Sequence, residues 1–263
     1  MRVLSDAAQA GRWLTVFIVA LGACAVAASA QAAEIKVLSA GAVKDIVAEL
    51  AEAFRQETGH TVMLSSGTAG GIRQKVTAGD PADVVIVTDT VLAQLAATGL
   101  VVADSRADIA RTGIGVAVRE GAPLPDISSP EAFKRTILAA TSIVYLDPAS
   151  GATSGVYFAG VLERLGIAAA VKEKTVLWPG GFAAEAVAKG QAELCVHQIS
   201  ESLPVKGVTL VGPLPRDLQK ITTYSAVLST RAATPAAARA FIAFMTRPSF
   251  KAKFAAVGLD YRE

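Results

Sequence analysis

Apolar positions along the chain switch repeatedly between two periods. "EIKVLSAG" (34–41) reads as a short strand ending in small residues. In "AVKDIVAELAEAFRQETG" the residues Val43, Ile46, Val47, Leu50 and Phe54 fall on one helical face, and Gly59 supplies the stop. "TVMLSS" predicts a second strand, 71–78 a helix, 84–87 a buried strand, and "TVLAQLAATG" a short helix with its own glycine stop. Strand–helix–strand–helix–strand is the rhythm of a mostly parallel α/β sheet.

The rhythm breaks at "TGIGVAVREGAPLPDISSPEAF", a strand followed by a proline-rich connection, and resumes in "SIVYLDPASGATSGVYFAGVLERLG". "GGFAAEAVAKGQ" predicts a helix, "AELCVHQ" and "YSAVLS" strands, and the tail two helices divided at Pro248. The expected architecture is two α/β lobes, the second inserted into the first.

Composition supports this picture. Apolar residues make up 52% of the 263 residues and charged residues 18%, ordinary for a globular α/β chain. The net charge of +2, with no Lys/Arg run longer than two, gives no field for nucleic acid.

Residues 1–33 differ from the rest. Arg2 and Arg12 precede "WLTVFIVALGACAVAASA" (13–30), which is uncharged and apolar, and small residues follow. This pattern predicts a secretory signal peptide cleaved near Ala33–Glu34. A membrane anchor is the rival, but no basic stop-transfer flank follows. "LGAC" also resembles a lipoprotein processing site that would acylate Cys24; the apolar stretch runs on past it, which favours ordinary cleavage. The mature chain then keeps one cysteine, Cys195, in an apolar run that predicts a buried thiol.

The candidate chemistry lies in three strand-to-helix turns: "LSAGAV" (38–43), "SSGTAGG" (65–71) and "DPASGATSG" (147–155). The first turn of a helix leaves N–H groups unpaired and carries partial positive charge, glycine lets backbone approach a ligand, and hydroxyls add donors. Three such turns converging on one cleft would bind an anion. Nucleotide loops are excluded by spacing, because the NTPase pattern requires glycine where Ile72 stands. Catalytic and metal constellations are thin. The chain has two histidines: His60 in a Gly-His turn, expected to be solvated, and His197 after an apolar strand, a possible ligand contact. Arg73 could fork onto a carboxylate or oxyanion, or lie solvated on its helix. Nothing suggests a metal or a nucleophile elbow.

In order and spacing, "IKVLSAGAVKDIVAELAEAFRQETG", "SSGTAGGIRQKVTAGDPADVVI", "YLDPASGATSGVYFAGVLERLG" and "AKGQAELCVHQISE" resemble the periplasmic molybdate-binding proteins of ABC transporters. The resemblance implies a type II periplasmic binding protein-like fold. One lobe would comprise 34–113 plus 222–263 and the other 114–221, with two crossing strands as hinge and the ligand cleft between them. It also implies where the site departs from the family pattern. Ala42 stands where a hydroxyl is usual, with Ser39 nearby. The second-loop serines fall around Thr68, Ala69 and Gly70. Ser154 matches, the cleft tyrosine corresponds to Gln198, and Gly180 and Gly181 lie near a backbone donor position.

The expected function is the periplasmic solute-binding component of an ABC importer, closing around a molybdate- or tungstate-like oxyanion. Ser39, Gly41, Thr68, Gly70, Ser154 and Gln198 would be ligand contacts, with Arg73 and His197 as possible additions. No bond would be made or broken, no cofactor or metal is needed, and the partner is a membrane permease rather than nucleic acid. The protein is expected as a monomer. The rivals are a small organic carboxylate as ligand, an exported two-lobed α/β enzyme using His197, and a sensor binding the same ligand.

Overall fold

The structure, a computed structural model, describes residues 32–261. The expected signal peptide, with Cys24, lies outside the described residues apart from Ala32 and Ala33.

β1 (Glu34–Ala40) runs through a 3-10 turn at Gly41–Val43 into α1 (Lys44–Thr58). The apolar face read from the sequence is the buried one, with Ile46, Val47, Leu50 and Phe54 inside, and Gly59 ends the helix in the left-handed conformation at φ 77°. β2 (Thr61–Gly67), α2 (Ala69–Ala78), β3 (Val84–Thr88) and α3 (Asp89–Ala97) continue the alternation. β4 (Val101–Thr112) follows, and was not evident in the pattern. Its Asp104, Arg106, Asp108 and Arg111 give it the look of a polar connection.

The chain then enters a second layer. It comprises β5 (Ile114–Arg119), α4 (Pro130–Ala139), β6 (Ile143–Leu146), α5 (Thr153–Arg164), α6 (Ala168–Val171) and β7 (Thr175–Trp178). α7 (Ala184–Ala188), β8 (Leu194–Gln198), α8 (Ile199–Ser202) and β9 (Val208–Pro213) complete it. β10 (Thr222–Ser229), α9 (Pro235–Met245), α10 (Lys251–Ala256) and β11 (Asp260–Tyr261) return to the first.

The strands form two sheets, β11-β4-β10-β3-β1-β2 and β7-β6-β8-β5-β9. Both are mixed rather than mostly parallel. β1 pairs parallel with β2 and β3, whereas β10 runs antiparallel to both β3 and β4. β6 pairs parallel with β7 and β8, and β5 antiparallel with β8 and β9. The antiparallel pairs arise where the chain crosses, out from β4 to β5 and back from β9 to β10. Helices cover both faces of each sheet, so this is a two-lobed α/β fold with a core on each face. One core is centred on Phe54 of α1, whose ring centroid lies 5.2 Å from those of both Phe241 and Phe244 of α9. His60 is not simply solvated: it is half-buried, and its Nδ1 accepts from the Ala33 N–H at 3.0 Å.

Gln219 fastens the two crossings together. Its Oε1 accepts from the Ile114 N–H at 2.9 Å and its Nε2 donates to the Ile114 carbonyl at 2.8 Å.

Candidate functional site

A cavity of about 130 Å³ opens between the carboxyl ends of strands from both sheets. It is smaller than the roughly 300–1,000 Å³ typical for drug-sized ligands, so its natural occupant is a small molecule. The first lobe contributes the turn at Ala40–Ala42, Lys44 at the start of α1, Ser66–Ala69 before and within α2, and Tyr224 from β10. The second contributes Ala152–Ser154 at the start of α5, Gly181, Gln198 at the end of β8 and Glu201 on α8.

Two of the helix starts have no side-chain cap. Ala40 before the 3-10 turn and Ala152 before α5 accept nothing from the first turn with their side chains. Their lining positions therefore offer backbone N–H groups and the positive end of the macrodipole. Lys44 adds one formal charge beside the cavity, with its ammonium 3.8 Å from the centre of the Phe182 ring.

Four of the expected contacts, Gly41, Thr68, Ser154 and Gln198, come together on the cavity wall. Ser39 does not. It is fully buried behind the wall, and its hydroxyl donates to the Ala40 carbonyl at 3.1 Å. Gly70 faces the opposite lobe, its N–H donating to the Gly151 carbonyl at 3.1 Å. Arg73 is exposed on α2, outside the lining. His197 is completely buried one layer behind Ser154.

The hydroxyls expected to grip an anion already have acceptors. Thr68 Oγ1 donates to the Ser150 carbonyl at 2.7 Å while accepting from the Gly71 N–H, so it both caps α2 and ties one lobe to the other. Ser154 Oγ lies 3.0 Å from His197 Nδ1. The far ring nitrogen of His197, Nε2, is 3.2 Å from the Gly181 carbonyl, which can only accept. Nε2 therefore carries the proton of the neutral ring, Nδ1 is the acceptor, and the Ser154 hydroxyl donates to it.

Glu201, Lys44 and Tyr224 were not evident as site residues from the sequence. Glu201 is 6% exposed, and its Oε2 lies 3.4 Å from His197 Nε2. Burial pushes its carboxyl up to about 8, with nearby Lys44 pulling the other way and Asp45 adding to the rise. Burial likewise depresses His197 to about 4, against a smaller raising effect of the Gly181 carbonyl. Acid and imidazole are thus both neutral at pH 7. Tyr224 is buried, its phenol is pushed up by burial and by Glu201, and its hydroxyl accepts from Gln198 Nε2 at 3.1 Å. The signal for Glu201 was its i+4 spacing from His197; Tyr224 is 26 residues from its partner, and no local pattern marks it. Among the described residues no group of three His, Cys, Asp or Glu side chains is arranged to hold a metal ion.

A two-lobed α/β fold with a small cavity between its lobes is the architecture of a solute-binding protein. The chain belongs to the bacterial extracellular solute-binding protein family, which matches residues 35–260. It is 35% identical over 215 residues to a Pseudomonas sp. protein named aconitate isomerase, covering 80% of each chain. It is 31% identical over 245 residues to the molybdate-binding protein ModA of Azotobacter vinelandii, covering 89% of this chain and 93% of that one. The solved Azotobacter vinelandii periplasmic molybdate-binding protein superposes with a TM-score of 0.73 at 24% identity, over 87% of this chain and all of that one. These similarities bear out the expected resemblance to molybdate-binding proteins and the expected fold.

Proposed function

We propose that this protein is a periplasmic solute-binding protein whose cleft closes on a small organic polycarboxylate and presents it to an ABC permease. The observation that carries the choice of ligand is the commitment of the hydroxyls. Thr68, Ser154 and Ser39 each donate to a protein acceptor, so three of the hydroxyls expected to hold a tetrahedral oxyanion are already engaged. An unmet polar contact costs about 1–3 kcal/mol in a buried site. Lys44 and the uncapped helix starts offer positive charge and N–H donors to carboxylate oxygens. The similarity to a protein named for a tricarboxylate supports the same choice.

A thermal-shift panel on the purified protein tests this. Citrate, aconitate and tricarballylate should raise Tm, a ligand at 100 times its Kd stabilising by about 2.7 kcal/mol. Molybdate, tungstate and sulfate should leave it unchanged. A shift with molybdate or tungstate alone overturns the reading.

A second reading is that the bound acid is also converted. Glu201 on the cavity wall, with His197 buried behind it, favours it, together with the isomerase name of the Pseudomonas relative. Moving a carbon–carbon double bond requires a group to take a proton and return it, and a carboxyl raised to about 8 suits that task. Proton NMR of cis- and trans-aconitate incubated with the protein decides: interconversion establishes turnover, and unchanged spectra leave binding alone.

A further inference from the structure

One corner of the cavity brings together Gln198, Ser154 and Glu201. Gln198 is 1% exposed, its Nε2 donates one of its two hydrogens to Tyr224, and its Oε1 has no hydrogen-bond partner among the described residues. The Ser154 hydroxyl proton points at His197, so only its lone pairs face outward. Glu201 completes the corner with a protonated carboxyl, and both of its oxygens have close neighbours. Oε2 faces His197, while Oε1 lies so close to Gly41 that a Cβ there would sit 2.8 Å from it. Any side chain at position 41 would push the carboxyl out of this place.

A fully ionised dianion such as sulfate or molybdate offers acceptors only. At this corner it would meet two more, Gln198 Oε1 and the Ser154 lone pairs, beside the one proton that Glu201 carries. The proton held by Glu201 turns its contact with an anionic ligand oxygen into a charge-assisted hydrogen bond. We propose that Glu201 is a ligand-binding residue of the cleft: one proton lies between its carboxyl and a ligand carboxylate oxygen, so that binding of the organic acid is linked to that proton. The proposal rests on the polycarboxylate reading above. No covalent bond changes, because the proton is shared between two carboxyl oxygens and the pair carries a single negative charge.

The consequence is a proton-linked affinity. The charged and titratable groups facing Glu201 are Lys44 and Asp45 from the start of α1, His197 and Cys195 from β8, and Tyr224 from β10. In the free protein burial keeps Glu201 protonated up to about pH 8. Below that pH the shared proton is already present. Above it each binding event must take one up, so affinity falls by about tenfold per pH unit.

Calorimetric titration of the full protein with trans-aconitate and with citrate, from pH 6.5 to 9.5 in two buffers of different ionisation enthalpy, tests this. The expected result is level affinity to about pH 8, then a fall of about tenfold per unit, with proton uptake rising toward one per ligand. Glu201→Gln keeps a donor and loses the titration, so its affinity, whatever its level at pH 7, no longer falls above pH 8. Level affinity of the unaltered protein across the range, or a fall that persists in E201Q, overturns the proposal while leaving the polycarboxylate reading intact. Failure of every tricarboxylate to bind at any pH overturns that reading and the proposal with it.

Discussion

Oε2 of Glu201 stands 3.4 Å from Nε2 of His197, with both side chains out of solvent and neither charged at neutral pH. The pair therefore works as an acid and an imidazole held neutral by burial, rather than as an ion pair. Its titration has opposite signs at the two members. Glu201 is raised in the folded state, so the stability it contributes is complete below its unfolded value and is lost as pH climbs to about 8. His197 is depressed, so its contribution grows as pH rises from about 4 toward 6.5.

Between pH 6.5 and 8 only the Glu201 effect remains. Over that window the unliganded protein should lose about 1.4 kcal/mol per pH unit. Urea denaturation at pH 6.5, 7.2 and 8.0 measures the slope, and E201Q should flatten it. An equal slope in both proteins would assign the titration to another group.

Gly70 and Gly151 meet where the two lobes touch. A Cβ on Gly70 would lie 2.7 Å from Gly151 Cα and 3.0 Å from its carbonyl oxygen, and the Gly70 N–H bonds to that oxygen. Gly70→Ala should force this contact apart and favour an opened cleft. If the closed population drops to a tenth, apparent Kd rises about tenfold. Small-angle scattering should show a larger radius of gyration in solution, with Tm little changed.

Gln219 holds Ile114 through both of its backbone groups where the chain crosses between sheets. Gln219→Leu leaves the Ile114 N–H without its acceptor, while the Ile114 carbonyl keeps the Leu214 N–H at 3.0 Å. Loss of one buried partner should cost about 1–3 kcal/mol, seen as a lower urea midpoint at an unchanged m-value.

Cys195 is fully buried, and its thiol is pushed far up by burial and by Glu201, so thiolate is scarce. Ellman's reagent should leave the native protein unlabelled for hours. Cys195 should react with one equivalent after unfolding in guanidinium chloride. Rapid labelling of the native state would place Cys195 near a surface.

Much of this was legible residue by residue. The buried face of α1, its glycine stop, the apolar β3 and a helix after the second glycine-rich turn, though starting two residues earlier than expected, follow from spacing and capping, which act over a few residues. β4 was not legible, because its charged positions mask a strand stabilised by pairing with β10 and β11. The donors were misjudged for a related reason. Serine and threonine before a helix announce hydroxyls, but a hydroxyl's direction is set by its nearest acceptor, and for Thr68 and Ser154 those acceptors lie 82 and 43 residues away.

By itself the sequence determined the alternating elements, the three small-residue turns and the kinship to solute-binding proteins, because periodicity, capping and turn chemistry are local. The tertiary structure alone decided what the cleft offers a ligand. Bringing His197 behind Ser154, Glu201 against Gly41 and Tyr224 onto Gln198 required both sheets to be in place. That assembly turned an expected cage of hydroxyl donors into a cavity with cationic helix starts on one side and a neutral acid with bare acceptors on the other.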